Sequence, residues 1–582
     1  MRRLLHILIF FACWTYSLPR LAAAYPDNAA SPLGTNLWFF RDWVSEYPLV
    51  DAFKSSRPWI TQYMDSWPTT WDTGESALLD LDADGWVRSL PAPADAPVFT
   101  SVGTLMLDGF GAHYPAGRYI VLYEGEGTIL YGFDAVKDNA LSASGRDVLN
   151  VTPTGNGIYL RIAATDPHRT GNYLRNIRVL MPGSEDSYAS QVFHPDFLAK
   201  LTNYRAVRPM QWAETNGSAQ EVWSARTRMS QARWNNHGYG VPVELMVALA
   251  NRLQQDLWVN MPHKADDDFM TRYALLVKGL LHPALKVYVE YSNEVWNGSY
   301  EYPQSLWVQS QGKSRWPASP ESDFTKQINW HGMRTARMCD LWKAAWAGDS
   351  ARVICVMGAQ SGNPWTASQA LDCPLWTEGA PCYRHGIDAV AIGPYFGWYL
   401  GTSTYQTQVL GWLGDADGGL AKLFAEVTSG GVLSGAPAGG ALARAFQEMD
   451  GHAAVAAARG LYLTAYEGGS HLASVSGNAA VSNLFSQASR DARMQQVYAD
   501  YLAGWKARGG HIFMHYFNVG QNTTLGSFGV LEYLDQPESP KWNALQQFIA
   551  ENPCWWTGCA RSASLNFFTY LPFLRNGPDT LR

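Results

Sequence analysis

The chain has 582 residues, and its 44 Lys and Arg against 51 Asp and Glu give a formal net charge of -7. It therefore has no basic surplus to neutralise a phosphate backbone, and we do not expect it to bind nucleic acid. With 47% hydrophobic and 16% charged residues, the chain can bury large cores, which excludes a mainly disordered protein. Aromatic residues make up 13% of the chain, and their flat faces suit the apolar faces of sugar rings.

The N-terminus has the pattern of a secretory signal peptide over residues 1–24. Residues 1–3 carry a positive charge, residues 4–18 are mostly apolar, and residues 22–24 are alanines suited to cleavage before Tyr25. We expect the mature protein to be secreted or periplasmic, without a membrane partner once the signal is removed. An uncleaved N-terminal anchor is the alternative.

Six cysteines remain after Cys13 leaves with the signal, and an even number fits an oxidising compartment. Cys373 and Cys382, and likewise Cys554 and Cys559, are close enough in sequence to close small loops, although six cysteines allow 15 pairings. Neither pair has the C-x-x-C spacing of a zinc site, and we find no cofactor motif.

Before the main body of the chain, two regions differ in pattern. Residues 25–97 are rich in Trp and Pro, and the run Asp80–Gly85 within them predicts an Asp-Gly turn, with a structural calcium loop as the alternative. Residues 98–185 contain short β-rich runs separated by turn residues, which predict an antiparallel β-sandwich. A glycan-binding and a purely structural role both remain open for it.

From residue 190 to 551, apolar runs of strand length alternate with amphipathic stretches of helix length. This pattern predicts an α/β fold, a (β/α)8 TIM barrel, with a C-terminal appendage over 552–582. We expect the first strand within Tyr204–Trp212. The second strand, which cannot be read from the sequence, should lie between Trp212 and Val243. The other runs are Leu257–Met261, Lys286–Tyr291, Val353–Met357, Ala389–Gly393, Leu461–Tyr466 and Ile512–Phe517.

Two glutamates directly follow runs that are well separated in the predicted barrel. Glu294 comes shortly after Lys286–Tyr291, and Glu467 immediately after Leu461–Tyr466. Reactive groups of such barrels stand at the C-terminal strand ends, so the two side chains should face one cleft. Glycoside hydrolysis needs two carboxylates, one protonated to act as an acid and one ionised.

The run Tyr291–Asn297 resembles the Asn-Glu signature after the fourth strand of clan A glycoside hydrolases, which are retaining (β/α)8 enzymes. The resemblance covers roughly residues 193–550. It implies that Glu294 is the acid/base and that Glu467 is the nucleophile. Because an acid must donate a proton, we expect Glu294 to be protonated near neutral pH, and we expect hydrogen-bond donors to hold Glu467 ionised. The resemblance further implies that Asn293 binds the 2-hydroxyl group of the sugar.

The same resemblance suggests further residues around the substrate. Tyr395 matches an aromatic residue after the sixth strand that often supports the nucleophile. His263 matches a position at the third strand that is often polar or His. The last run, Ile512–Phe517, lacks the Trp common in several families of the clan. The residue that would serve as the aromatic platform for the sugar is therefore left open. We also expect Arg208, Trp212, Trp296 and Trp398 to line the pocket, while a structural Arg and a core Trp are equally good accounts of the first two.

These observations predict hydrolysis of a neutral β-linked poly- or oligosaccharide with retention, and carboxyl groups about 5 to 5.5 Å apart. No motif for an esterase, zinc hydrolase, kinase or dehydrogenase is present in the sequence. The alternative is a non-catalytic carbohydrate-binding or scaffold protein built on a degenerate glycosidase barrel. The exact glycan, endo or exo action and the oligomeric state stay open.

Overall fold

The computed structural model describes residues 28–63, 70–91, 99–299 and 301–560, so the predicted signal peptide lies outside the described residues. The first strand, β1 (Leu33–Asn36), belongs to the barrel, and the chain then leaves the barrel to build an antiparallel unit. The strands of that unit are β2 (Ile60–Gln62), β3 (Asp80–Leu81), β4 (Val87–Ser89), β5 (Ser101–Met106), β6 (Gly117–Glu124), β7 (Gly127–Phe133), β8 (Ala135–Lys137), β9 (Arg146–Val151), β10 (Ile158–Thr165) and β11 (Arg175–Leu180).

The antiparallel unit consists of two four-stranded sheets, in the orders β2-β5-β10-β7 and β11-β6-β9-β8, and the β3-β4 hairpin. Alternate residues of each sheet point inward: Tyr119 and Val121 of β6 share one hydrophobic cluster with Leu160 and Ile162 of β10. The predicted antiparallel sheet domain is therefore confirmed. It also includes β2, which lies in the Trp/Pro-rich segment.

The β3-β4 connection is the predicted Asp-Gly turn. Oδ1 of Asp82 accepts hydrogen bonds from the backbone N–H groups of Asp84 and Trp86, both at 2.9 Å. Gly85 has a φ of +90°, which a residue with a side chain rarely adopts. Among the described residues, no group of three or more His, Cys, Asp and Glu side chains is arranged to hold a metal ion.

The chain returns to the barrel through α1 and completes it with seven further strands. All eight barrel strands are parallel, in the closed order β1-β12-β13-β14-β15-β16-β17-β18, which confirms the predicted (β/α)8 fold. These elements are α1 (Pro195–Leu201), β12 (Ala206–Arg208), α2 (Val243–Leu253), β13 (Asp256–Met261), α3 (Asp267–Leu280), β14 (Val287–Tyr291), α4 (Pro303–Arg315), α5 (Asp323–Ala345), β15 (Val353–Gly358), α6 (Pro364–Asp372), β16 (Ala389–Ile392), α7 (Ser403–Trp412), α8 (Leu420–Thr428), α9 (Gly440–Ala457), β17 (Tyr462–Ala465), α10 (Ala479–Arg490), α11 (Arg493–Ala507), β18 (Phe513–His515) and α12 (Pro540–Glu551).

The order of the strands corrects one expectation. The strand predicted between Trp212 and Val243 is instead β1, and the run Tyr204–Trp212 supplies the second strand rather than the first. Thr35 of β1 pairs with Val207 on one side and His515 on the other, so β1 closes the barrel. A four-residue strand is too short to show a period, and the whole sheet domain separates it from β12 in sequence. The barrel therefore does not begin near residue 190.

The sheet domain packs directly on the barrel. Leu49, after β1, forms an isolated antiparallel bridge with Phe193, which precedes α1. The Arg57 guanidinium joins the two parts because its Nη2 lies 2.7 Å from Asp42 Oδ2, in the loop after β1, and 2.8 Å from Asp108 Oδ2 of the sheet domain. These contacts fix the loop after β1 from two sides.

The cysteines close two short loops, Cys373–Cys382 and Cys554–Cys559. Cys339 and Cys355 are buried and unbonded. In the described part of the C-terminal appendage, the Cys554 backbone N–H donates to the carbonyl of Ala30 at 2.8 Å, next to β1. No helix within the described ranges combines the length and the apolar character needed to cross a bilayer.

Candidate active site

Arg208, the last residue of β12, lies at the centre of the site and is 0% exposed. Its Nε and Nη2 lie 3.1 and 2.9 Å from Oε2 of Glu290, and its Nη1 lies 3.2 Å from Oε2 of Glu467. The remaining N–H groups donate to Oδ1 of Asn36 and Oδ1 of Asn293, each at 2.9 Å. Every donor of the guanidinium is thus used within the protein, which is the condition for burying such a charge.

Glu290 is a third carboxylate of this network, and sequence reasoning missed it. It lies inside β14, is 1% exposed, and its Oε2 also accepts from Trp258 Nε1 at 2.9 Å and Asn260 Nδ2 at 2.8 Å. Burial raises the pKa of Glu290, while Arg208 and these donors act in the opposite direction. Its one signal in the sequence is an acidic residue within an otherwise apolar and aromatic strand.

Glu294 follows β14 and is half-buried. Its Oε1 accepts a hydrogen bond from the hydroxyl of Tyr466 at 2.8 Å, and its Oε2 accepts one from Asn297 Nδ2 at 2.8 Å. The backbone that presents it is unusual: Ser292 and Glu294 have φ values of 57° and 44°. Residues other than glycine take up this left-handed region at an energetic cost, and such strained positions concentrate at functional sites.

Glu467 directly follows Tyr466 at the end of β17 and is 6% exposed. Burial and the nearby charge of Glu294 raise the pKa of Glu467 to about 8, against the opposing effects of Arg208 and a hydrogen bond from Tyr395. The free protein therefore departs from the expected ionised Glu467. Two interacting carboxylates titrate as a pair, so the raised pKa of Glu467 reflects its closeness to Glu294 as well as its own burial.

Asn293 and Tyr395 lie where the sequence predicted them, beside the carboxylates. Asn293 is 1% exposed, accepts from Arg208, and donates from Nδ2 to Oδ1 of Asn216 at 3.0 Å. Tyr395 is half-buried, and burial and the charge of Glu467 raise the pKa of its hydroxyl well above the ordinary value. Both side chains are held within the same network as the two glutamates.

Two further tyrosines face the pair and were missed. The negative charge of Glu294 is the largest cause of the raised pKa of Tyr302, and Glu467 adds to it. The pKa of Tyr516 is also raised, mainly by burial and next by the charge of Glu467. Tyr516 follows β18, where the sequence lacks the expected Trp. With Tyr395 and Tyr466, these residues surround the carboxylates with hydroxyl groups.

His263 and Trp212 are both buried. His263 is 3% exposed, its ring packs against Trp307 with centroids 5.3 Å apart, and burial lowers its pKa to about 4. Within the described residues, its ring makes no hydrogen bond or ion pair with either glutamate. Trp212 is 1% exposed and packs on Phe40 and Phe197, so its faces are unavailable to a sugar and the core account is correct.

The two other predicted tryptophans differ in exposure. Trp296 is 7% exposed, because it packs on His331 and Tyr466 with ring centroids 5.7 and 6.4 Å away, and it supports the site from beneath. Trp398 is 38% exposed, and the Arg444 guanidinium lies over its ring at 5.2 Å. Only Trp398 of this pair can present part of its surface to a ligand.

No protein-family model and no curated protein sequence matches the chain. Among solved structures, a Bacteroidetes-affiliated GH5 cellulase is similar at 12% identity and a TM-score of 0.34, over 61% of this chain and 82% of that one. A GH5-4 broad specificity endoglucanase from Clostridium acetobutylicum is 12% identical at a TM-score of 0.34, over 61% of this chain and 88% of that one. The CBM22-1-GH10 modules of a Clostridium thermocellum endo-1,4-beta-D-xylanase, complexed with xylohexaose, are 11% identical at a TM-score of 0.36, over 89% of this chain and 100% of that one.

At such TM-scores these likenesses carry no weight for function, which depends on the site itself. The arrangement at the barrel mouth consists of a half-buried carboxylate, Glu294, and a buried carboxylate, Glu467, whose pKa is raised by burial and by the charge of Glu294. This combination can supply an acid and a nucleophile in one cleft.

Proposed function

We propose that the protein is a secreted retaining glycoside hydrolase that cleaves β-glycosidic bonds of a neutral poly- or oligosaccharide. The observation that carries the proposal is the coupling of Glu294 and Glu467. The side chain of Glu294 accepts from Tyr466, the neighbour of Glu467 in sequence, and its charge raises the pKa of Glu467. Two carboxylates that lie close to each other at two different strand ends can act on one sugar ring.

In the first step, the carboxylic acid of Glu294 gives its proton to the glycosidic oxygen while an oxygen of Glu467 attacks the anomeric carbon. The C–O bond to the leaving sugar breaks, and a covalent glycosyl ester forms on Glu467. In the second step, the carboxylate of Glu294 takes a proton from water, whose oxygen attacks the same carbon and releases Glu467. Each step inverts the anomeric carbon, so the product keeps the β configuration.

Arg208 favours the negative charge on Glu467 rather than on Glu294. Its Nη1 lies 3.2 Å from Glu467, whereas Glu294 accepts only from neutral groups, Tyr466 and Asn297, among the described residues. A cation favours the ionised form of the group nearest to it. The proposed mechanism requires the proton on Glu294, where the glycosidic oxygen can receive it.

The charges around the pair favour a neutral sugar. Arg208 uses all its N–H donors on Glu290, Glu467 and two asparagines, so it has none left for a carboxylate or sulfate group of a substrate. The groups that face the pair are instead tyrosine hydroxyls and rings, which can bind sugar hydroxyls and C–H faces.

The test is hydrolysis of a panel of plant, fungal and algal polysaccharides by the wild type, Glu467→Ala and Glu294→Ala. We expect release of reducing sugar from a neutral β-glycan and its loss in both variants. Product from acidic polysaccharides alone would contradict the substrate class. Equal rates in the wild type and Glu467→Ala would remove this residue from the mechanism. Binding of a glycan without any turnover would favour the non-catalytic alternative.

A further inference from the structure

The loop after β1 carries three aromatic side chains, Trp38, Phe39 and Trp43, which we name the β1 shelf. The ring centroids of Trp38 and Phe39 are 4.6 Å apart, and those of Phe39 and Trp43 are 5.8 Å apart, so the rings form a continuous row. Trp38 and Phe39 are half-buried, and Trp43 is 46% exposed at the outer end. Neither the sequence motifs nor the catalytic steps above involve these residues.

The inner end of the shelf reaches the catalytic pair. The ring of Trp38 lies edge-on to Tyr516 with centroids 6.0 Å apart, and Tyr516 lies edge-on to Tyr395 at 6.1 Å. Tyr395 in turn hydrogen-bonds to Glu467. The row of rings thus begins beside the nucleophile and leads outward along the loop to Trp43.

The shelf is held rigidly, because its loop is fixed by both the barrel and the sheet domain. Glu46, which is 2% exposed, accepts from the backbone N–H of Trp38 at 3.1 Å and from Asn518 Nδ2 at 2.8 Å. Trp38 also stacks on Phe517 with centroids 3.9 Å apart. A rigid aromatic surface loses little conformational entropy when a ligand binds, which favours a binding site.

Two charged residues of this loop, Arg41 and Asp42, are paired inside the protein. Arg41 binds Glu214, and Asp42 binds Arg57. An aromatic surface whose neighbouring charges are compensated suits a ligand with apolar faces and no charge. The occupant that meets this description beside a glycosidase pair is the continuation of a neutral sugar chain.

We propose that the β1 shelf binds the part of a neutral β-linked polysaccharide chain that extends beyond the bond being cleaved, with Trp43 as its outermost contact. This inference rests on the proposed function, because the catalytic pair defines the bond from which the chain extends. It assigns the shelf to polymer binding and predicts that long substrates depend on it more than short ones.

The experiment compares the full-length wild type with Trp43→Ala and Trp43→Tyr by gel retardation and kinetics. The probes are soluble hydroxyethyl cellulose, xylan and galactomannan, and the matching 4-nitrophenyl disaccharides serve as short substrates. We expect Trp43→Ala to weaken retardation and to raise the KM for the polymer roughly 3- to 10-fold relative to the short substrate. Trp43→Tyr keeps an aromatic face and should restore most of the binding.

Phe133→Ala is the matched control, since Phe133 is 42% exposed and ends β7 of the sheet domain. It should leave retardation and both KM values unchanged. The inference is overturned if Trp43→Ala binds polymer like the wild type, if Phe133→Ala weakens binding instead, or if no probe retards the wild type. Retardation that depends on Trp43 without hydrolysis of any substrate would support the shelf and refute the proposed enzyme.

Discussion

The Nη1 atom of Arg208 lies 3.2 Å from Oε2 of Glu467, while Nη2 of the same guanidinium lies 2.9 Å from Oε2 of Glu290. One buried cation thus connects the proposed nucleophile to a carboxylate in the interior of the barrel. The planar fork of an arginine can make these contacts together, whereas the ammonium of a lysine cannot. The position of Glu467 therefore depends on the shape of Arg208 as well as its charge.

Arg208→Lys keeps the charge and loses the fork, so Glu467 should lose its orientation. We expect kcat/KM to fall by about 100-fold, comparable with the loss of one preorganised charge-stabilising contact. Kinetics on the best polysaccharide, with the melting temperature of each variant, check this. Arg88→Lys is the matched control, because Arg88 makes an exposed ion pair with Asp80 and should change neither quantity. An Arg208→Lys enzyme with wild-type kinetics would contradict the role of the fork.

The rate should depend on the protonation of the carboxyl pair. Burial and Glu294 raise the pKa of Glu467 to about 8, so the proton is present below pH 8 and is lost as the pH rises through that value. We expect kcat/KM to fall on the alkaline side with a midpoint near pH 8. A pH-rate profile of the wild type on a soluble substrate provides the measurement.

Glu290→Gln should shift that alkaline limb to lower pH. The charge of Glu290 contributes to the raised pKa of Glu467, and removing it also leaves Arg208 less compensated. Both effects favour the ionised pair, so the proton is lost earlier as the pH rises. A limb that stays in place or moves to higher pH would show that Glu290 does not act on the pair.

Tyr466→Phe removes the hydroxyl that donates to Oε1 of Glu294 at 2.8 Å. Without this donor, Oε1 of Glu294 loses the contact that holds it in place, so the carboxyl group should be less well oriented. We also expect roughly a 10-fold lower kcat from the loss of one charge-assisted hydrogen bond. Tyr405→Phe is the control, since that hydroxyl donates to the carbonyl of Gly435 at 2.7 Å, near the surface. Equal kcat values for the two variants would refute this role of Tyr466.

Glu46 should make stability depend on pH. Burial raises its pKa from 4.5 to about 8, so the folded state binds this proton more tightly than the unfolded state. The contribution of Glu46 is fully present below pH 4.5 and is lost as the pH rises towards 8. Between pH 5 and 8, the melting temperature of the wild type should therefore fall relative to that of Glu46→Gln. A difference between the two proteins that stays constant across this range would contradict the prediction.

The sequence predicted the barrel and both candidate catalytic glutamates because strand-length runs and the residues that follow them are local patterns. It missed β1, since four residues show no period and their partners, β12 and β18, are distant in sequence. It also missed Glu290, because only the folded barrel shows that this side chain meets Arg208. The sequence placed Trp296 at the pocket and left pocket and core positions equally open for Trp212, because a sequence does not distinguish a buried aromatic ring from an exposed one.

The protonation of the pair could not be predicted from residue identities either. The expected ionised Glu467 followed from the donors around it, but its burial and its closeness to Glu294 outweigh them in the free protein. These are properties of the three-dimensional cleft, as is the row of rings from Tyr516 to Trp43.

The stereochemistry of the product tests the central claim most directly. Proton NMR of the wild type acting on the best β-linked substrate resolves the anomeric configuration of the first product before it mutarotates. Double displacement through Glu467 predicts that the β-anomer appears first and the α-anomer only later, by mutarotation. Initial release of the α-anomer would mean a single displacement by water, and it would contradict the assignment of Glu467 as a nucleophile.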